Sequence, residues 1–259
     1  MMVRFAALGH PEYKNQIVEY KEFKPDNYDM GISSMHGPAV ASLLVGKMIG
    51  VAPQANVYYC ACPGWLADAR YYAEAVNHII NVNKNLKKKD KVKFISVSAA
   101  PSGKYSPFTK NQELWDKAVS NAEKEGIVVV DCTEDKGFVY PGFIDYKDDK
   151  LKRGFPNRKF SKGEECLDRV VFAPTSLRTV AESYDNINFG YTYCGVGGLS
   201  WGIPYITGLL CLGQQVNPQL SAEDIKEILL KTSKNNVPNP QRFIEVIKNY
   251  NINSKFIVQ

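Results

Sequence analysis

The sequence predicts an α/β fold with a mostly parallel central sheet and helices on both faces, and three observations lead there. Short apolar runs rich in β-forming residues alternate with amphipathic stretches at the spacing of strand–helix–strand units. Several runs are continuously apolar, Ile127–Val130 (IVVV) above all, as strands covered on both faces are. No repeat, low-complexity tract or linker divides the 259 residues, so a single domain over 1–259 is expected.

The first strand is read at Val3–Leu8 (VRFAAL), stopped by Gly9. Further strands are read at Ala55–Ala61, Val92–Ser98, Ile127–Cys132 and Arg169–Ala173. Between them, residues 68–80 place Ala69, Tyr72, Ala73, Val76, Ile79 and Ile80 on one helical face. Residues 111–125 do the same with Leu114, Ala118 and Ala122. Ser221 to Asp224 (SAED) is a capping-box start for a helix through Thr232. The stretch from Phe138 to Asp168 is rich in Gly, Pro, Lys and Asp and reads as long surface loops.

Composition excludes several classes. Apolar residues make up 44% of the chain, enough for a sizeable core and too many for a disordered protein. The net charge of +5 comes largely from residues 84–93 (KNLKKKDKVK). That run carries no interleaved aromatics and reads as a solvated helix end and loop, so no nucleic-acid partner is expected. No segment is long and apolar enough to span a membrane, and none is expected to bind one. The six cysteines show no CxxC spacing and no nearby histidine, so neither a metal site nor another cofactor is expected. Packed, reduced thiols fit a cytoplasmic location, and the mature part of a secreted protein would read the same way.

Two segments carry chemistry. In Gly195–Pro204 (GVGGLSWGIP) a glycine-rich turn delivers Ser200 to the start of an apolar run that continues to Val216. Pro204 is placed in that helix's first turn, where no intrahelical donor is lost. A serine there sits beside free N–H groups and the positive end of the helix dipole, which suits a nucleophile whose attack creates an oxyanion. An ordinary N-cap serine has the same pattern. In Met35–Ser42 (MHGPAVAS), His36 precedes a helix of small and apolar residues. Of the three histidines it alone is followed by Gly-Pro; His78 lies in an amphipathic helix and reads as structural.

Together these segments resemble the subtilisin-like serine peptidases. His36-Gly-Pro-Ala-Val-Ala is similar to that family's His-Gly-Thr-x-Val-Ala, and Gly50-Val-Ala-Pro53 follows as in the family. Gly198-Leu-Ser-Trp-Gly-Ile-Pro204 resembles its Gly-Thr-Ser-Met-Ala-x-Pro, and Gly126–Gly137 resembles its Gly-Ile-Val-Val-Val-Ala-Ala-Ala-Gly-Asn-x-Gly. The matches occur in the family's order over nearly the whole chain. The resemblance implies a three-layer sandwich and a serine endopeptidase acting on a peptide or protein substrate. Ser200 would be the nucleophile and His36 its base. The Ser200 N–H and the side chain at Asp135 would form the oxyanion hole. Ser98, Ala99 and Ala100 would pair with an extended substrate and line its main pocket.

Two departures qualify those roles. The family's triad aspartate ends the first strand, where this chain has Gly9; alignment on His10-Pro11 puts it near Val3 instead. Neither placement supplies a carboxylate. Glu12, Asp26 and Asp29 remain as surrogates, and a chain truncated at its N-terminus would show the same gap. Loss of that group lowers turnover by roughly four orders of magnitude. Second, Asp135 stands where the family has asparagine. A carboxylate has no N–H to donate and repels an oxyanion unless it is protonated. A catalytically weak homologue that binds peptides or regulates a relative is therefore the alternative expectation.

Overall fold

Strand pairing divides the protein into units that the helices then hold together. The computed structural model describes residues 7–28, 36–133, 135–144, 151–153, 169–183, 188–195 and 197–250. In chain order the elements are β1 (Ile17–Glu22), α1 (His36–Val45), β2 (Val57–Ala61), α2 (Arg70–Asn85), β3 (Phe94–Val97), α3 (Gln112–Lys124) and β4 (Val128–Asp131). They continue with β5 (Val139–Ile144), β6 (Leu151–Arg153), β7 (Val171–Pro174), β8 (Arg178–Glu182), β9 (Gly190–Cys194), α4 (Leu199–Val216), α5 (Ala222–Thr232) and α6 (Pro240–Asn249).

β1 pairs with β2 and β3 with β4, both in parallel; β3 and β4 run in register from Phe94 opposite Val128 to Val97 opposite Asp131. β5 lies between antiparallel β6 and parallel β7, and β8 and β9 form an antiparallel pair. The single sheet expected from the sequence is thus divided among the described residues. The strands that face each other across the division are β2 and β3, and a cavity of about 690 Å³ lies between them.

Side-chain alternation in β3 and β4 explains why helices cover both faces. Val128 and Val130 of β4 point into one cluster with Ile203, Ile206 and Leu210 of α4, Ile228 of α5 and Phe243 of α6. Val129 of β4 and Val97 of β3 point the other way, into a cluster with Val76 and Ile80 of α2 and Trp115 of α3. Each fully buried side chain of this kind contributes about 2 kcal/mol. α4 lies close to its neighbours because three of its residues lack a side chain: a Cβ on Gly202 would come within 2.6 Å of the Ala173 Cβ on β7, one on Gly208 within 2.5 Å of the Val51 Cβ, and one on Gly213 within 2.7 Å of the Phe243 ring. α5 begins with the expected capping box, in which Asp224 N donates to Ser221 Oγ at 3.0 Å.

Several sequence expectations are corrected. Ala7–Gly9 form a 3-10 turn and no strand, while the rest of Val3–Leu8 lies outside the described residues. β1 escaped the strand pattern because Glu19, Lys21 and Glu22 interrupt its apolar positions. Residues 138–168 are not all loop: β5 carries buried Val139 and Tyr140, and residues 145–150 and 154–168 lie outside the described ones. In α3 the buried face is led by Trp115, while Leu114 is exposed. The described cysteines, Cys60, Cys62, Cys132, Cys194 and Cys211, are free thiols.

The close approach of α4 to β7 sets the first testable expectation. Gly202→Ala gains helix propensity but forces two Cβ atoms together, so a net loss of about 1–2 kcal/mol is expected from the overpacking. Urea denaturation of the variant checks it; an unchanged or raised midpoint would show that β7 yields freely.

Candidate active site

Ser200 is the second residue of α4, and its local geometry follows from its neighbours. Gly198 is the N-cap, with extended backbone (φ −97°, ψ 177°) and no side chain to cap the first turn. The first-turn N–H groups are therefore left without a side-chain acceptor from the cap. Pro204 sits beyond the first turn, which corrects its expected place, and has no N–H to give the Ser200 carbonyl four residues earlier. That carbonyl instead accepts from Ser98 Oγ at 3.0 Å. The bond is reciprocated: Ser200 Oγ donates to the Ser98 carbonyl at 3.2 Å. Two residues far apart in sequence are so tied, and the end of β3 is fastened to the start of α4.

His36 is the first residue of α1 and is half-buried. Its ring lies on the indole of Trp201, the residue after Ser200, with centroids 5.5 Å apart and planes 29° from parallel. Burial depresses the imidazole pKa to about 4, so the ring is neutral near pH 7. Among the described residues no hydrogen bond joins His36 to Ser200, and no carboxylate bonds to the imidazole. The surrogate acids are placed elsewhere. Glu12 is buried, and its two oxygens accept from Met48 N at 3.0 Å and Tyr191 Oη at 2.7 Å, beyond the far end of α1. Asp26 is exposed and Asp29 lies outside the described residues. Gly9 packs beside Phe189, whose ring would lie 3.3 Å from an added Cβ.

No protein-family model matches the sequence, and neither does any curated protein sequence. Solved structures do match. The Prenylagaramide maturation protease PagA is 15% identical with a TM-score of 0.67, the match covering 95% of this chain and 91% of that one. The subtilase cytotoxin SubAB assembly is 16% identical, with a TM-score of 0.61 and coverage of 95% and 87%. Fervidolysin from Fervidobacterium pennivorans, described as a keratinolytic enzyme related to subtilisin, is 16% identical with a TM-score of 0.60; 93% of this chain covers 40% of that one. The fold is that of the subtilisin-like proteases.

Within this subtilisin-like fold the remaining sequence candidates sit as follows. Asp135 follows β4 by four residues and is exposed. Its Oδ2 accepts from Lys104 N at 3.0 Å, and its Oδ1 would lie 2.2 Å from a Cβ on Gly103, whose φ of +101° suits only glycine. The carboxylate thereby closes against the loop that follows Ala100. Of the expected substrate edge, the Ala99 carbonyl accepts from Cys132 N at 2.9 Å and the Ala100 carbonyl from Ser106 Oγ at 2.6 Å. Both carbonyls are thus used within the chain. No group of three or more His, Cys, Asp or Glu among the described residues is arranged to hold a metal.

Two features escaped the sequence reasoning. Trp201 was unreadable because its role depends on α1 crossing α4. Asp131 was readable as an acid ending the IVVV run. Burial raises its pKa to about 6, against hydrogen bonds from Thr133 N at 3.0 Å and Thr133 Oγ1 at 2.9 Å.

Two expectations follow. Ser98→Ala leaves the Ser200 carbonyl without a donor and should cost about 1–3 kcal/mol. In a Pro204→Ala background, where a helical N–H reaches that carbonyl, the same change should cost about 1 kcal/mol less; a double-mutant cycle by urea denaturation checks it. His36 has a folded pKa below its unfolded value, so its contribution to stability is complete above about 6.5 and is lost as pH falls towards about 4. An NMR titration of the His36 ring should give a midpoint near 4. A midpoint near 6.5 would show the ring to be solvated.

Proposed function

We propose that the protein is a serine endopeptidase, with Ser200 as nucleophile and His36 as general base. The observation that supports this reading is that the His36 ring stacks on Trp201, the residue that follows Ser200 at the N-terminus of α4. Rotation of the Ser200 hydroxyl off the Ser98 carbonyl would free its proton for that base. The uncapped first turn supports the oxyanion assignment to the Ser200 N–H. The two parallel pairs are, on this reading, halves of one central sheet between helix layers.

The second reading, a weak or inactive homologue that holds an extended peptide, is favoured by a different observation. Among the described residues His36 has no carboxylate bonded to it, and Glu12 is committed to Met48 and Tyr191. An imidazolium formed at His36 would then lack a countercharge, and the depressed pKa works against proton uptake.

Hydrolysis of an activated peptide ester separates the two. On the peptidase reading Ser200→Ala and His36→Ala each lower the rate by about three orders of magnitude or more. Asp135→Asn removes a negative charge and adds a donor, and should raise the rate by up to about 100-fold. Equal rates for wild type and Ser200→Ala would leave only the binding role.

A further inference from the structure

Asp131 is the last residue of β4 and stands opposite Val97, the last residue of β3 and the neighbour of Ser98. Alternation along β4 turns Val128 and Val130 towards α4, so Asp131 turns with Val129 towards α3. There its carboxylate accepts from Thr133 N at 3.0 Å, from Thr133 Oγ1 at 2.9 Å and from the Trp115 indole. The same carboxylate lies beneath both ends of the Thr133–Gly137 turn. Gly137 N closes that turn on the Thr133 carbonyl at 2.8 Å, and Asp131 Oδ1 would lie 3.5 Å from a Cβ on Gly137.

The turn is fastened to the loop that follows Ala100. Asp135 Oδ2 accepts from Lys104 N at 3.0 Å. Lys136 Nζ donates to Asp116 Oδ2 at 2.6 Å, and Asp116 Oδ1 accepts from the buried Ser102 hydroxyl at 2.6 Å. Thr133 reaches the same loop, its methyl 3.0 Å from a Cβ on Gly103. The turn thus sets where Asp135 points, and the turn is built on Asp131. Few charges face that carboxylate. Burial first, and Asp116 of α3 after it, oppose its ionisation against the three donors. Asp135 and Lys136 of its own turn are committed to Lys104 N and Asp116. β3 (FISV) brings no charge, and α2 meets this layer with Tyr72, Val76 and Ile80.

We propose that Asp131 is a positioning residue for the candidate site: its carboxylate fixes the Thr133–Gly137 turn and thereby holds Asp135 on the Lys104 amide. The physical reason is acceptor capacity. An ionised carboxylate takes all three donors, whereas a protonated one carries a hydrogen on one oxygen and must give up the Thr133 hydroxyl or reverse that bond. The Thr133 end of the turn then loosens, and with it the hold on Asp135. The dependence of the turn on Asp131 stands by itself. Its consequence for turnover rests on the peptidase reading, in which Asp135 occupies the oxyanion position.

The test is an NMR titration of backbone amides in the full chain. The Thr133 and Lys104 amides should shift with one shared midpoint, near the Asp131 pKa of about 6. In Asp131→Asn, whose side chain does not titrate, that midpoint should vanish from both. Thr133→Val removes one donor to the carboxylate and should move the shared midpoint up by about half a pH unit or more, which keeps the inference testable if the first variant does not fold. A Lys104 amide that ignores this range, or one that responds equally in Asp131→Asn, would overturn the inference. Hydrolysis of the activated peptide ester is read separately. The expected result is an inflection in kcat, and not in KM, near the same midpoint, abolished in Asp131→Asn. Hydrolysis with a flat kcat through that range overturns the positioning role. A shared amide midpoint without hydrolysis upholds the dependence of the turn on Asp131 and counts against the peptidase.

Discussion

Ser98 and Ser200 exchange hydrogen bonds through their hydroxyls and carbonyls, and this exchange joins the end of β3 to the start of α4. Its origin is covalent. Proline at 204 deprives the Ser200 carbonyl of its helical donor, and the helix start lies where the Ser98 hydroxyl can replace it. The helix so anchored carries Ile203, Ile206 and Leu210 into the largest cluster and brings Trp201 under His36. The same contact therefore sets the strand–helix junction, the core beneath it and the position of the candidate base. It also holds the serine hydroxyl in a ground-state bond that any chemistry must first break.

Burial works against the charged form of two groups, His36 and Asp131. His36 is held uncharged by burial, and Asp131, at the end of β4, is pushed towards its protonated form. Glu12 is buried with a phenol and a backbone amide as partners. No described acid faces the imidazole to favour its charged form.

Much of this was legible in the sequence. Strands β2, β3, β4 and β7 and the helices α2, α3 and α5 follow from apolar periodicity and capping, which depend on neighbours a few residues away. β1 was not legible, because a strand with Glu19, Lys21 and Glu22 on it is recognised only by the partner it finds in β2. Nor was α6, whose short length leaves only Phe243 and Ile247 to bury. At the site, Ser200 and His36 were marked by local motifs. The stacking of His36 on Trp201, the commitment of Glu12 to Met48 and Tyr191, and the use of Asp135 by the Gly103–Lys104 turn depend on the packing of distant segments.

The thiols that line the gap between β2 and β3 have a chemical consequence. Burial pushes Cys62 up to about 11 and Cys211 up to about 12, and raises Cys60 further still. Peroxides and disulfides react with the thiolate, which at neutral pH is then a fraction of about one in ten thousand or less. Three sulfurs set around an open cavity would ordinarily make it a target for oxidation. Here the same apolar surroundings favour the protonated thiols and so disfavour that reaction.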